Sequence, residues 1–372
     1  MLIGVPKEIK DHEYRVGLVP ATVRELAARG HRVMVERGAG AGAGIADAEY
    51  EAAGAELAAG AEAIFDRAEM IVKVKEPLAA ERPKLKRGQI LFTYLHLAAD
   101  RVQTEGLMSS GVIGIAFETV TAPDGSLPLL TPMSAVAGRM APQVGAWCLQ
   151  KANGGRGVLL AGVPGVAPGA VLILGGGHVG GNAALIAVGM GADVTVVGRS
   201  RDSLKRIAAE FGNRVRCQVS EREAIERLAR EADLVIGAAM VPGGVAPKLI
   251  SRDTVKAMRR GAVIVDVAID QGGVAETSRP TSHSQPTYVE EGVVHYCVPN
   301  MPGAVPRTST FALNDATRPF VLALADKSPS RALADDPHLL AGLNVHEGRL
   351  TYRAVAEALK LPYTPPETAL SA

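Results

Sequence analysis

The stretch AVLILGGGHVGGNAALIAVGMGADVTVV, residues 170 to 197, decides how this chain folds. Its first five residues are apolar, which predicts a buried strand. Gly175, Gly177 and Gly180 follow in the pattern G-x-G-x-x-G, and the alanine-rich run behind them predicts a helix that leads into a second strand. This order of strand, glycine turn and helix is typical of a βαβ unit that binds a dinucleotide.

Glycine is needed at these three positions for a chemical reason. The backbone has to turn tightly, approach a pyrophosphate closely and let the helix pack on the strand, while N–H groups at the helix start receive the anion. An ordinary glycine-rich turn is the alternative interpretation. The regular rhythm of strands around the motif favours the dinucleotide, so we expect Gly175, Gly177 and Gly180 to contact a cofactor.

The alternation of strands and helices continues as far as residue 298. The runs that predict further strands are residues 193–197, 215–219, 233–238, 262–268 and 293–298. The middle runs are almost uniformly apolar, as strands buried in a parallel sheet are. The run SEREAIERLAREAD, residues 220 to 233, predicts a helix capped by Ser220 with Glu223 as its capping-box partner. The residues expected on its inward face are Ile225, Leu228 and Ala229.

A second, separate alternation occupies the first part of the chain. The runs LIGV, HRVMVE, MIVKVKEP, GQILFTYL and GVIGIAFE predict strands among helices, and the segment after Pro306 predicts helices that pack on an existing domain. At roughly 150 residues per domain, a chain of 372 residues suits two domains. We therefore predict an α/β fold with two Rossmann-like domains, each with a mostly parallel sheet, separated by a cleft.

Composition argues against several classes of function. Forty Lys and Arg residues balance 39 Asp and Glu residues, so no summed positive field attracts nucleic acid or an anionic membrane. The charge-free stretch from residue 157 to 192 is interrupted by prolines and glycines, which is unlike a membrane-spanning helix. Cys148, Cys217 and Cys297 are widely spaced, which predicts no disulfide framework and no metal site. The charged start of the chain lacks a signal peptide, so we expect a cytoplasmic protein.

The end of the second strand bears on which nicotinamide cofactor is used. An Asp or Glu about 20 residues beyond the glycines normally accepts a hydrogen bond from the ribose 2′-hydroxyl of NAD. This chain has Gly198 and Arg199 there, followed by Arg201. Without the carboxylate, two guanidinium groups can pair with a 2′-phosphate, which favours NADP(H). The alternative is that Asp202 turns inward, both arginines are solvated and NAD(H) binds.

Two residues that follow predicted strands are candidates for proton transfer. His96 ends the run QILFTYLH, where an imidazole can exchange a proton near neutral pH, although a core or capping histidine is the plain alternative. Asp270 lies on the loop after AVIVDVAI, at the edge of a parallel sheet where ligands bind. Asp266 is its competitor, but an acid inside a strand more often serves a structural hydrogen bond.

Two basic residues are candidates for holding a small carboxylate. Lys73 and Lys75 share one face of a predicted strand by the two-residue period, and Lys73 is expected to be a solvated side chain. Arg15 follows the first predicted strand and offers the planar fork that matches a carboxylate. Considered alone, Arg15 would be interpreted as a surface arginine. Together with His96 and Asp270, however, Arg15 and Lys75 suggest an acid–base site beside a nicotinamide.

These residues occur within longer motifs that resemble the L-alanine dehydrogenase family along essentially the whole chain. The motifs are GVPKEIKDHEYRVGLVP at residues 4–20, KVKEP at 73–77, QILFTYLHLA at 89–98, LLTPMSAVAGRMAPQVGA at 129–146, GGRGVLLAGVPGV at 154–166, GAVIVDVAIDQGG at 261–273 and CVPNMPGAVPRTSTFALNDATRPF at 297–320. The resemblance implies a substrate-binding domain from residues 1–128 and 307–372, a dinucleotide-binding domain from 129–306, and a homohexamer. It also implies reversible conversion of L-alanine to pyruvate and ammonia.

The resemblance assigns roles by motif. Arg15 and Lys75 resemble the substrate-binding residues of the family, and His96 and Asp270 resemble its proton-transfer pair. The residues that correspond to the family's cofactor contacts are Ser134, His178, Val179, Ser203, Ser220, Ala239, Met240, Val267, Ala268, Ile269, Arg279, Val298, Pro299, Asn300 and Met301. One departure concerns the cofactor, because Gly198 stands where the family usually has an acidic residue.

Two other classes of protein stay open as alternatives. The nucleotide-binding subunit of a proton-translocating transhydrogenase has a similar N-terminal half but exchanges hydride with another protein domain, so it needs no substrate acid–base pair. A non-catalytic sensor would bind a dinucleotide and a partner. The presence of Arg15, Lys75, His96 and Asp270 favours the amino-acid dehydrogenase over both.

Overall fold

The computed structural model describes residues 1–240 and 245–371, and these form two compact units. The first unit combines Met1–Met133 with Gly303–Ala372, whose last residue lies outside the described range. The second unit is Ser134–Pro302. Its boundaries fall close to the positions after residues 128 and 306 that we infer from the sequence. Each unit is described separately below.

The strands are short, as is usual in α/β domains. In chain order they are β1 (Leu2–Val5), β2 (Arg32–Glu36), β3 (Glu56–Ala58), β4 (Met70–Val72), β5 (Ile90–Thr93), β6 (Ile113–Ala116), β7 (Ala170–Leu174), β8 (Asp193–Gly198), β9 (Val215–Val219), β10 (Leu234–Gly237), β11 (Val263–Asp266), β12 (Thr287–Glu290), β13 (Val293–Tyr296), β14 (Leu343–His346) and β15 (Arg349–Leu350).

The helices alternate with these strands through most of the chain. They are α1 (Pro20–Ala28), α2 (Asp47–Ala52), α3 (Ala61–Arg67), α4 (Arg101–Ser110), α5 (Thr131–Cys148), α6 (His178–Gly189), α7 (Arg201–Phe211), α8 (Arg222–Glu231), α9 (Arg252–Ala257), α10 (Pro306–Asp326), α11 (Pro329–Asp335), α12 (Pro337–Leu340), α13 (Arg353–Leu359) and α14 (Pro366–Leu370). None of the helices that the described residues form is long and apolar enough to cross a membrane.

The first unit is built on a sheet with the strand order β15-β14-β6-β5-β4-β1-β2-β3. The strands from β6 to β3 pair in parallel, whereas β14 pairs antiparallel with both β6 and β15. Ile71 and Leu91 on neighbouring strands are fully buried with Leu107 of α4 and Val345 of β14 in one apolar core. The C-terminal segment therefore completes the first sheet, which confirms the first α/β domain predicted from the sequence.

The second unit is built on a sheet with the strand order β12-β13-β11-β10-β7-β8-β9. Every pair except the hairpin of β12 and β13 is parallel. Leu174, Val235 and Ile264 of three neighbouring strands are fully buried, and they pack with the helices α8 and α9. The second predicted domain is thus confirmed, and its parallel strands all end at one edge of the sheet.

The predicted cap of α8 is wrong. The helix begins at Arg222 with Glu221 at the N-cap position and without a side-chain cap bond, so Ser220 and Glu223 form no capping box. Ser220 instead continues the sheet, because its amide N–H donates to the carbonyl of Gly198 at 3.0 Å. Of the predicted inward face, Ile225 and Ala229 are buried and Leu228 is partly buried against the same core.

Candidate active site

The glycine turn after β7 has the geometry that a bound pyrophosphate requires. Gly175 has a φ of 119°, a conformation that other residues rarely adopt. A Cβ atom on Gly180 would lie 1.8 Å from the Gly175 carbonyl oxygen, so only glycine lets α6 pack on the turn. At Gly177, the N-cap of α6, a Cβ atom would meet no atom within 4 Å, so this backbone is open to a ligand.

Most residues predicted to contact the cofactor lie at the carboxyl ends of the parallel strands of the second sheet. After β7 come Gly175, Gly177, His178, Val179 and Gly180, and after β8, which ends at Gly198, come Arg199 and Ser203. After β9 comes Ser220, and after β10 come Ala239 and Met240. After β11 come Val267, Ala268 and Ile269, and after β13 come Val298, Pro299, Asn300 and Met301. The fold therefore gathers segments that are far apart in the sequence along one edge.

Ser134 and Arg279 reach this region from other elements. Ser134 lies on α5, one turn before Gly138, where a Cβ atom would be only 2.3 Å from the Val179 carbonyl oxygen. Because Val179 belongs to the start of α6, this helix and α5 are in close contact there. The Arg279 guanidinium lies 3.8 Å from the centre of the Tyr288 ring. Tyr288 is at the start of β12, which pairs antiparallel with the last residues of β13.

The end of β8 carries no acid but two exposed cations. Gly198 is buried, whereas Arg199 and Arg201 are exposed. Ser200 caps α7, because its side chain accepts a hydrogen bond from the Ser203 amide. This local environment is rich in donors and has a positive charge, which suits a phosphate group.

Asp270 lies on a single 3-10 turn, Val267–Gln271, that begins where β11 ends. This turn shortens the strand predicted for residues 262–268. Asp270 is an exposed residue, whereas Asp266 at the last position of β11 is only 1% exposed. Asp266 Oδ2 accepts a hydrogen bond from the Val274 amide at 2.7 Å and one from the Ser278 hydroxyl at 2.6 Å. Asp270 is therefore the carboxylate accessible to a ligand.

Arg15 in the first unit is buried and held in one orientation. It is 2% exposed, and its Nε and Nη2 atoms donate to the two carboxylate oxygens of Glu13 at 2.7 and 2.5 Å. Nη1 contacts Met133 Sδ at 3.1 Å. Burial disfavours the charged form, but the ion pair with Glu13 outweighs it and raises the pKa of Arg15. The sequence alone would suggest a surface arginine, whereas the structure buries a fixed positive charge.

Lys75 lies near Arg15, just beyond β4. Burial, followed by the positive charge of Arg15, lowers the pKa of Lys75 below the usual lysine value. Its backbone is held by Glu8, whose Oε1 atom accepts hydrogen bonds from the amides of Val74 at 2.6 Å and Lys75 at 3.1 Å. The first unit thus brings together two cations that a small carboxylate could bind.

Lys73 is not the solvated side chain that we expect from the sequence. It has no exposed surface, and its ammonium donates to Glu8 Oε2 at 3.1 Å and to Glu81 Oε1 at 2.8 Å. Burial disfavours the ammonium form, but these two carboxylates outweigh it and raise the pKa of Lys73. Lys73 therefore neutralises the carboxylate that holds the backbone of Lys75.

Replacing Lys73 with methionine is expected to lower the free energy of unfolding by about 3–5 kcal/mol, because Glu8 and Glu81 are left buried without a cation. Urea titration measures the change. The matched control is Lys84→Met, which breaks an exposed pair with Glu62 at 3.6 Å and should cost at most about 1 kcal/mol. Equal losses for the two variants would contradict the assignment.

His96 adopts a left-handed backbone conformation, with a φ of 50° and a ψ of 38°. Glu118 holds this turn, since its Oε1 atom accepts the His96 amide at 2.6 Å and lies 3.9 Å from His96 Nδ1. The ring stacks on Tyr94 with ring centres 5.8 Å apart, while 47% of the His96 side chain stays exposed. The imidazole is therefore positioned on one side and accessible on the other.

Sequence reasoning missed the acids that hold these groups. Glu8, Glu13 and Glu118 are charged residues with no chemical motif of their own, although each occurs in or beside a quoted family motif or predicted strand. Only Glu118 carried a signal, because it follows the apolar run VIGIAF and an acid in such a context needs a buried partner, whereas Glu8 and Glu13 lie in a charged stretch. The sequence does not show which cation or amide that partner is.

Family models cover nearly all of this architecture. The model described as the alanine dehydrogenase/PNT N-terminal domain matches residues 4–137, and the corresponding C-terminal domain matches residues 141–353. This chain belongs to the alanine dehydrogenase/PNT family. The two matched ranges meet within α5, and together they include all the candidate site residues.

Relatives in this family match over their full length. The alanine dehydrogenase of Halomonas elongata is 60% identical over 363 residues, which are 98% of each chain. A solved L-alanine dehydrogenase superposes with a TM-score of 0.94 at 54% identity, covering 97% of this chain and 99% of the other. A transhydrogenase from Sinorhizobium meliloti has a TM-score of 0.81 at 22% identity over 95% of this chain and 100% of its own, which shows a shared fold alone.

Proposed function

We propose that this protein catalyses the reversible oxidative deamination of L-alanine with a nicotinamide dinucleotide. L-alanine, water and the oxidised cofactor give pyruvate, ammonium, the reduced cofactor and a proton. The observation that carries the proposal is the identity of 60% over 98% of the chain to an alanine dehydrogenase, in a chain that contains Arg15, Lys75, His96 and Asp270. The first three of these residues are held in place by named acids in the first unit.

Arg15 and Lys75 are proposed to hold the substrate. Arg15 is fixed by Glu13, and the Lys75 backbone is fixed by Glu8, so both cations are oriented before a ligand arrives. A carboxylate that binds them loses rotational freedom, and this converts a collision into a geometry close to that of reaction. The two positive charges also favour an amino or keto acid, which carries a carboxylate, over an amine without one.

The second unit is proposed to hold the dinucleotide. The open backbone at Gly177 and the close packing at Gly180 fit a pyrophosphate at the start of α6. When bound, the nicotinamide accepts a hydride from the substrate carbon in deamination and returns it in amination. The protein has to supply orientation and proton transfer around that step.

His96 and Asp270 are proposed to move the protons. In the direction of amination, His96 and Lys75 donate hydrogen bonds that polarise the keto oxygen of pyruvate. Asp270 then assists the addition of ammonia and the loss of water through a carbinolamine. The exposed ring of His96 and the exposed position of Asp270 support these roles, because both groups can reach a ligand.

We further propose that NADP(H) is the preferred cofactor. At the end of β8 the chain offers Gly198 instead of a carboxylate, so no acid at that position repels a 2′-phosphate, and the acid that follows, Asp202, is exposed on the first turn of α7. Arg199 and Arg201 are exposed beside it, where their guanidinium groups can form charge-assisted hydrogen bonds with that phosphate. The Ser200 hydroxyl accepts the Ser203 amide and can still donate its own proton, whereas the Ser203 hydroxyl donates to the Ser200 carbonyl at 2.8 Å.

Location and assembly are also proposals. We propose a cytoplasmic protein, which agrees with Cys148, Cys217 and Cys297 being free thiols. We also propose a homohexamer. The exposed apolar side chains of Leu159, Val163 and Val166, which are 64%, 55% and 62% exposed, support self-association. Light scattering would give six times the 38.7 kDa chain mass, and a monomer would contradict the proposal.

The deamination reaction tests the proposed activity and its stereochemistry. The purified chain is mixed with L-alanine or D-alanine and an oxidised nicotinamide cofactor, and both the reduced cofactor and pyruvate are measured. We expect equal amounts of the two products from L-alanine and none from D-alanine. Reduced cofactor without pyruvate, or equal rates with both enantiomers, would contradict the proposal.

A further inference from the structure

Lys248 makes an unusual set of contacts in the second unit. Its ammonium nitrogen lies 2.5 Å from the Gly272 carbonyl oxygen, 2.9 Å from that of Gly273 and 3.0 Å from that of Ala275. An ammonium group has three N–H donors, so these three oxygens can accept all of them. The carbonyls converge because Gly272 and Gly273 are both left-handed, with φ values of 92° and 77°.

The opposite side of the same turn is held by a carboxylate. Asp266 Oδ2 accepts the Val274 amide at 2.7 Å and lies 3.4 Å from the Ala275 amide nitrogen. The Lys248 charge also favours the ionised form of Asp266, against the burial that raises the pKa of this carboxyl. The segment from Gly272 to Ala275 is therefore fixed by a cation at its carbonyls and an anion at its amides.

This clamped segment closes the turn that carries Asp270. The Gly272 amide donates to the Ile269 carbonyl at 2.9 Å, and the Gly273 amide donates to the Ala268 carbonyl at 3.0 Å. Asp270 lies between these bonded positions. If the three carbonyls lost their common donor, they would repel one another and the two left-handed glycines would relax toward other conformations.

We propose that the three carbonyls form a built site for a primary ammonium group, and that Lys248 fills this site and thereby positions Asp270. The consequence of this site for catalysis rests on the role proposed above for Asp270. Lys248 is a positioning residue, since it acts on the turn and needs no contact with substrate. The residue is exposed, so shortening the side chain opens the site to a small ammonium ion from solvent.

The test uses Lys248→Ala and n-propylammonium, which replaces the atoms that this substitution removes. The deamination of L-alanine is assayed without added ammonium, at a pH at which the amine is protonated. Misplacement of a reacting group by about 1 Å can lower a rate about 100-fold, so we expect kcat to fall roughly 10- to 100-fold. Added n-propylammonium should raise kcat again, by at least a third of the decrease in log kcat.

Lys248→Met is the matched variant that should lose activity without rescue, because its side chain occupies the space of the lysine side chain but lacks the charge. Lys256→Ala removes a lysine from α9 that is 53% exposed and should leave kcat within about twofold. An unchanged kcat in Lys248→Ala would overturn the positioning role. A loss that n-propylammonium leaves untouched, or relieves equally in Lys248→Met, would overturn the ammonium site.

Thermal unfolding separates this proposal from the proposed function. A ligand that binds the native state raises the melting temperature, so n-propylammonium should raise Tm for Lys248→Ala and not for Lys248→Met or the unmodified chain. This result requires no turnover. If the unmodified chain does not oxidise L-alanine but the Tm shift is found, the site exists and the proposed function fails. If the chain is active and no shift is found, the ammonium site is wrong.

Discussion

Replacing His96 with alanine is expected to lower kcat for L-alanine deamination about 10²- to 10⁴-fold, the usual contribution of a positioned general acid or base. The substitution removes an accessible imidazole whose backbone is held by Glu118. Affinity for the dinucleotide should stay within about twofold, because the glycine turn belongs to the other unit. Steady-state kinetics and titration of nicotinamide fluorescence measure the two effects.

A matched control distinguishes chemistry from folding. His346 lies on β14 of the same unit and is partly buried, so His346→Ala removes an imidazole without touching the proposed site. Its kcat should stay within about twofold of the unmodified chain. If His96→Ala loses nucleotide binding together with its activity, or melts far earlier than His346→Ala, then His96 is a structural histidine.

Replacing Gly198 with aspartate is expected to shift the ratio of kcat/KM for NADP(H) over NAD(H) toward NAD(H) by roughly 100-fold. A hydrogen bond from the ribose 2′-hydroxyl to a carboxylate is worth about 1.5–3 kcal/mol, and each 1.4 kcal/mol is tenfold. The same charge repels a 2′-phosphate. The new Cβ atom would lie 3.3 Å from Gly176 N and from Leu204 Cδ2, so small shifts accommodate it.

Gly198→Asn is the control for this variant, because asparagine has nearly the same shape without the charge. It should shift the ratio much less, since an amide still accepts a hydrogen bond but does not repel a phosphate. The kinetics of both cofactors are measured side by side for the three proteins. An unchanged ratio in Gly198→Asp would show that the end of β8 does not select the cofactor.

The fold of the second unit could be predicted closely because its signals are local. The apolar run before Gly175 and the glycine spacing both lie within about 20 residues, and each was sufficient to indicate its element. The edge of the sheet where ligands bind then follows from the parallel topology. The strand predicted over residues 262–268 is shorter in the structure, since the buried apolar residues Val267, Ala268 and Ile269 belong to the 3-10 turn Val267–Gln271.

The buried charge network of the first unit could not be predicted in the same way. Glu8 and Lys73 are 65 residues apart in the chain, and His96 and Glu118 are 22 apart. Periodicity places Lys73 on a strand face but does not show that this face meets two carboxylates. The cap predicted at Ser220 failed for a related reason, because a distant strand, β8, binds the amide of that residue.

The most direct test of the account is the reverse reaction. Pyruvate and ammonium are mixed with the purified chain and either NADH or NADPH in parallel, and the loss of the reduced nicotinamide absorbance is followed. We expect oxidation that depends on ammonium with both cofactors and is faster with NADPH. No oxidation with either cofactor, although both are bound, would contradict the account and favour a transhydrogenase-like protein or a dinucleotide sensor.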